Sequence, residues 1–343
     1  MKNVSIFILV SFVVSNSLYA TILDTDFVKY IKQHITNWEY KCVHKHNFKI
    51  CSNIDILYAS GKGVEQNYTK SKVFFEKSCQ GNYGRGCWYL GILYENGFGT
   101  KIDILNAIKL FKKACNKNEY KACNTLAKYY RDGIGIEQDY TKAKILFEKS
   151  CQANIGEGCF NLASMYFNGQ GVQQNYIKAK ALFEQACNYN HMISCYNLGI
   201  MYDKGLKIKK DYNKAKKYFE KSCNNNLPQA CVNLGVLYKN GDGVKQDYNK
   251  AYFFYKKACD RGLNEGCYNL GILYNDGLGV KRDYLIALEN YLKACQNKLG
   301  EGCYNAASIY DDNTSEVFDK KKAKLFYNKA CIYGFKQSCF NSK

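Results

Sequence analysis

CYNLGILYNDGLGVKRDYLIALENYLKAC, Cys267 to Cys295, holds the fold in one unit. Cys267, Leu270, Gly271 and Tyr274 follow the i, i+3, i+4, i+7 spacing of one helix face. Gly277 stops that helix, because a helix C-terminus often closes through a left-handed residue that glycine adopts without strain. Asp283 opens the next helix as an N-cap whose carboxylate accepts from free backbone amides. Ala287 and Tyr291 then share one face of the second helix. The segment predicts helix A, a glycine loop, helix B and a short turn.

The unit recurs with a step of 36 residues. Cys79, Cys115, Cys151, Cys187, Cys223, Cys259, Cys295 and Cys331 form one series. Cys87, Cys123, Cys159, Cys195, Cys231, Cys267, Cys303 and Cys339 form a second, with seven residues inside each pair. Cys51 belongs to the second series and Cys42 falls one place early for the first, which makes nine pairs. Glycines keep the same step at Gly61 through Gly277 and at Gly63 through Gly279, with Lys207 as the exception in the second set. Capping residues run from Asn67 to Asp319, and Ala107 to Ala323 mark the inner face of helix B. Small residues at Gly91, Ala127, Ala163, Gly199, Gly235, Gly271 and Ala307 let a neighbouring helix approach. One helix pair buries too little surface to stand alone, whereas stacked pairs share a continuous core. The fold class is therefore an all-α solenoid of helix pairs.

Each cysteine pair links the end of one helix B to the start of the next helix A. Paired zinc-ligand cysteines are usually two to four residues apart, so the spacing predicts disulfides and no metal. Nine local bridges are expected, Cys42–Cys51 through Cys331–Cys339, each contributing about 2.5 kcal/mol on chain-entropy grounds.

Residues 1–20 read as a signal peptide: Lys2, an apolar run from Val4 to Val14, and a small residue, Ala20, for cleavage. Thr21 in place of a cysteine argues against a lipid anchor. The expectation is a secreted or periplasmic protein with no membrane span after cleavage, in a compartment where thiols pair. Residues 21–50 are read as an amphipathic cap helix and turn around Phe27, Tyr30, Ile31 and Trp38. Eight repeats follow over 51–339, then a tail at 340–343. Asp311 to Phe318 loses the loop glycines, and the last helix A is expected to be vestigial. The formal charge of +19 suits an acidic partner, but lysines recur in every repeat and charge alone names no ligand. Export argues against nucleic acid.

The unit resembles the Sel1-like repeat, a relative of the tetratricopeptide repeat, as in CFNLASMYFNGQGVQQNYIKAKALFEQAC, Cys159 to Cys187. Paired cysteines at this spacing look like the Helicobacter cysteine-rich proteins. The resemblance implies an α/α superhelix with helices A along the concave side. It also implies a penicillin-binding protein with weak β-lactamase activity; the alternative is a non-enzymatic scaffold that binds peptide or protein in the groove.

The residues give the enzymatic reading little support. A serine β-lactamase needs S-x-x-K, S-D-N and K-T-G, and none occurs. G-x-S-x-G and H-E-x-x-H are also missing. His44 and His46 lack the further ligands of a zinc site, so no cofactor is expected and no catalytic residue is assigned. Asp139 and Glu148 recur by architecture, as cap and surface charge. A ladder is more suggestive. Asn161, Asn197, Asn233, Asn269 and Asn305 stand two residues after the helix-A cysteine, with Tyr89 and Thr125 in that slot earlier. Trp88, Phe160, Tyr196, Tyr268 and Tyr304 precede them. Along a groove, the amides would donate to and accept from a peptide backbone, a cell-wall fragment or a β-lactam. Inside the array, the same residues would serve as bonds between repeats.

Overall fold

The computed structural model describes residues 17–341, so the leader at 1–20, apart from its last four residues, and the end of the 340–343 tail lie outside them. Among the described residues there are seventeen α-helices, no strand, and one short 3-10 segment at Lys336–Cys339. Helix α1 (Ser17–His44) leads into the first pair, α2 (Phe48–Ser60) and α3 (Tyr68–Gln80). The pairs continue through α4 (Gly84–Asn96) and α5 (Ile104–Asn116) to α14 (Asn264–Asp276) and α15 (Tyr284–Gln296). The last are α16 (Gly300–Asp311) and α17 (Lys320–Ile332). The chain divides into two compact units between Leu162 and Ala163.

The punctuation of each repeat has a local cause. Asp283 accepts from the amides of Leu285 and Ile286 at 3.0 and 2.9 Å, and its own amide donates to Tyr274 O at 3.0 Å. That last bond ties the start of helix B to the end of helix A. Gly277 closes α14 with φ of 68° and donates to Leu273 O. Lys207, the exception among the loop glycines, takes the same left-handed backbone at φ 60°.

The core of each repeat is one aromatic ring on helix B, four residues before its cysteine. These rings are Phe75, Phe111 and Phe147 in the first unit, and Phe183, Phe219, Tyr255, Tyr291 and Tyr327 in the second, all buried. Burying each contributes about 1.5–3 kcal/mol. A Cβ on Gly271 would lie 2.5 Å from Tyr291 Cε1, so the small residue on helix A is a steric requirement of the ring beneath it. The first repeat differs: Asp55 fills that small-residue slot and is fully buried, beside buried Ser52 and Ser71.

All nine adjacent cysteine pairs are bonded, with Cα–Cα distances from 4.4 to 5.0 Å. Several lysines close helix ends across repeats: Lys113 Nζ donates to Cys79 O at 2.9 Å and Lys221 Nζ to Cys187 O at 2.7 Å. Part of the positive charge is thus architectural, since a cation at a helix C-terminus is favourable. In the cap, Ile31 is buried and Trp38 half-buried, while Tyr30 is 45% exposed against His34 and Trp38.

Candidate functional site

The slot two residues after the helix-A cysteine sits over the helix-B ring of the preceding repeat. Tyr89 stacks on Phe75 with centroids 5.3 Å apart, and Asn305 hydrogen-bonds the Tyr291 hydroxyl. The slot also bonds to the residue just after the preceding repeat's helix-A cysteine. Trp88 Nε1 donates to Thr125 Oγ1 at 3.4 Å, Asn161 Nδ2 donates to Asn124 Oδ1 at 2.9 Å, and Asn305 hydrogen-bonds Tyr268. A step of 37 residues thus joins consecutive helices A at these three places, and leaves Tyr196 and Asn233, also 37 apart, without such a bond.

The five asparagines differ in what they have left to offer. Asn161 is 5% exposed and accepts from Arg131 Nη1 at 3.3 Å in addition to its bond to Asn124. Asn233 keeps a buried Nδ2 without a protein partner among the described residues. Asn269 follows Val232 in the linking register and turns back on its own helix, donating to Glu265 O at 2.7 Å. Asn197 and Asn305 line cavities. The first, about 270 Å³, is walled by Phe167, Phe183, Ile200, Met201 and Leu206, with Asn168 and Ser164. The second, about 310 Å³, is lined by Asn275, Tyr284, Tyr291, Asn305, Ser308 and Asp312, with Thr314 at its edge. Each opens between helices A of consecutive repeats, with a helix-B ring as its floor.

The neighbouring aromatics are committed to packing. Tyr196 lies against Phe219, Tyr268 against Tyr291, and Tyr304 against Tyr327, with centroids 5.9, 5.9 and 5.5 Å apart. Trp88 and Tyr89 are half-buried against each other, with Lys121 over one ring and Arg85 over the other. The flat surfaces expected beside the ladder are thus walls of the repeat core.

Burial raises the Tyr291 phenol far above its ordinary range despite the Asn305 bond, and raises Tyr268 as well. These hydroxyls stay neutral and act as hydrogen-bonding groups.

Seven consecutive stretches match the Sel1 repeat: residues 51–83, 84–119, 121–155, 156–191, 193–227, 228–263 and 264–299. The chain belongs to the Sel1 repeat family. The last of these Sel1 repeats ends before α16, the helix whose loop has lost its glycines.

No curated protein matches the chain. A Sel1 repeat protein from Oxalobacter formigenes is similar in structure at 28% identity and TM-score 0.64, over 73% of this chain and all of that one. The chain is also similar to c5321, described as a protective antigen of uropathogenic Escherichia coli with an SLR fold. That likeness has 24% identity and TM-score 0.75, over 92% of this chain, and the chain spans 66% of that protein's length.

Two features of these Sel1 repeats escaped the sequence reading. Asn124 is half of the Asn161 bond, and its partner 37 residues away is set by stacking, which no local pattern encodes. The left-handed residue in five B-to-A turns is asparagine, at Asn82, Asn118, Asn154, Asn190 and Asn226, with Gly262, Lys298 and Gly334 in the later ones, a periodic signal present in the sequence and unread. A serine–histidine pair also appears, His191 Nδ1 lying 2.9 Å from Ser194 Oγ. Ser194 is fully buried, so that hydroxyl is closed to a substrate carbonyl.

Proposed function

We propose that this Sel1 repeat protein is an extracytoplasmic binding module that holds an extended polypeptide along its helix-A face, without chemistry. The observation that carries the reading is the pair of clefts at Asn197 and Asn305. Each sets an amide beside a pocket of side-chain size between successive helices A. An amide both donates and accepts, so it can bond a backbone of any sequence, while the adjoining pocket selects a side chain. Nine disulfides suit an oxidising compartment. The test is selection of binders from a random peptide library on the full chain, then calorimetry on Asn197→Ala and Asn305→Ala. Each amide bond is worth about 0.5–1.5 kcal/mol, so each substitution should weaken selected peptides roughly 2- to 13-fold. Selected peptides indifferent to both changes would refute it.

Cysteine pairing at this spacing supports a place among the Helicobacter cysteine-rich proteins, and with it comes the penicillin-binding reading. All described cysteines are oxidised, and Ser308 in the C-terminal cavity donates to Tyr304 O at 3.1 Å. A nitrocefin assay with intact mass after penicillin treatment tests that reading directly; a stable adduct would locate its nucleophile.

A further inference from the structure

The cavity between α14 and α16 owes its shape to the lost glycines. Where other helices A close through a left-handed glycine, α16 ends at Asp311, and Asp312 leaves it with extended backbone at φ −73° and ψ 109°. Ser315 replaces the glycine that elsewhere presses on the first tyrosine of the preceding helix B, as Gly279 does on Tyr248. The corresponding tyrosine, Tyr284, is 49% exposed and forms one wall.

The charge of this cavity runs against the rest of the molecule. The chain carries +19, and a second cavity of about 660 Å³ is lined by Lys216, Lys245 and Lys250. No lysine or arginine is among the residues lining the C-terminal cavity, and its charged group is Asp312. Six repeats lay their own lysine over the helix-A tyrosine, as Lys250 does over Tyr238 at 5.0 Å. Here Ile286 stands at that lysine position, and Tyr274 meets Tyr252 instead. Asp276 and Asp311 add negative potential at the rings of Tyr291 and Tyr327. Asp312 is held ionised, below the usual carboxylate range, by the hydroxyl and amide of Thr314, which both donate to Oδ1 at 2.7 and 2.9 Å. Both of these bonds fall on Oδ1 and none on Oδ2.

We propose that this cavity is a cation subsite of the peptide-binding face, taking one arginine or lysine side chain of the bound polypeptide between the Asp312 carboxylate and the Tyr284 ring. A carboxylate and an exposed aromatic ring lining one cavity together favour an ammonium or guanidinium group. Hydroxyl and amide groups of Ser308, Asn275 and Asn305 remain to accept its outer N–H groups.

The inference rests on the peptide-binding reading, and one experiment separates the two. Peptides selected on the full chain should share an arginine or lysine at one position. Replacing it by citrulline or norleucine should weaken binding about two- to fivefold. Asp312→Asn keeps the Thr314 bonds but removes the charge. It should cost a similar factor for the cationic peptide and almost nothing for the neutral one. Peptides that bind without a cation, ignore Asp312→Asn and still weaken with Asn305→Ala would overturn the subsite and leave the binding face intact. Failure of every selected peptide to respond to either Asn197→Ala or Asn305→Ala would remove both.

Discussion

Asn161 and Asn305 occupy the same place in their repeats, yet their surroundings assign them different work. The helix-B ring before Asn161 is Phe147, which has no polar atom and lies under Arg131, and the Asn161 amide is consumed by Asn124 and Arg131. Asn305 sits over Tyr291, whose hydroxyl joins it and Tyr268 in a polar floor that opens into a cavity. Repetition of a residue type thus says little about its role. The ring below it, and the residue 37 positions before it, decide whether the amide is an internal bond or a surface for a ligand.

The comparison can be broken most severely by removing what both regions share. Reduction and alkylation of the disulfides should lower the unfolding midpoint further than any point substitution, since each bridge constrains the unfolded chain by about 2.5 kcal/mol. A midpoint that barely moves would show that helix packing alone holds the array.

Asn161→Ala comes next. It strands the Asn124 carbonyl and removes an acceptor from Arg131 in a buried setting, with an expected cost of about 1–3 kcal/mol. Chemical denaturation measures it.

The sequence made the repeat, the caps and the cysteine pairing readable because each depends on neighbours within one turn or one loop. Gly277 and Asp283 are of that kind. The candidate site was legible only as a column of residues. Which asparagines are spent depends on stacking between repeats, as with Asn124 under Asn161, and on the shift from phenylalanine to tyrosine at Tyr255, Tyr291 and Tyr327. The cavity depends on an absence of glycine whose consequence, an early end to α16, emerges only in three dimensions.

The first repeat sharpens the contrast between core and site. Asp55 lies where other repeats hold glycine or alanine, and burial drives its pKa well above the usual carboxylate range, against the opposing pull of the Ile56 amide and Arg85. A folded pKa above the unfolded one makes the group favour folding at low pH, and that contribution is lost as pH rises through the folded value. Asp55→Ala should therefore stabilise the protein by about 1–2 kcal/mol near neutral pH and confer no advantage below the ordinary carboxylate range. Midpoints of both proteins across that pH span provide the check; a constant difference would contradict the buried-acid account.

The smallest effects are expected at the rings themselves. Tyr291→Phe removes an acceptor from Asn305 and should cost about 0.5–1.5 kcal/mol. Tyr255→Phe should be close to neutral, because that hydroxyl meets no protein partner among the described residues. Equal losses for the two would mean the Asn305 bond contributes nothing.

The most direct test of the division between structural and ligand-facing asparagines is a paired measurement on Asn161→Ala and Asn305→Ala, recording the unfolding midpoint and the affinity for a peptide selected on the full chain. The account expects Asn161→Ala to lower the midpoint with affinity preserved below unfolding, and Asn305→Ala to lower affinity several-fold with a much smaller change in midpoint. The reverse pattern, or loss of affinity only in step with loss of stability in both variants, would contradict it.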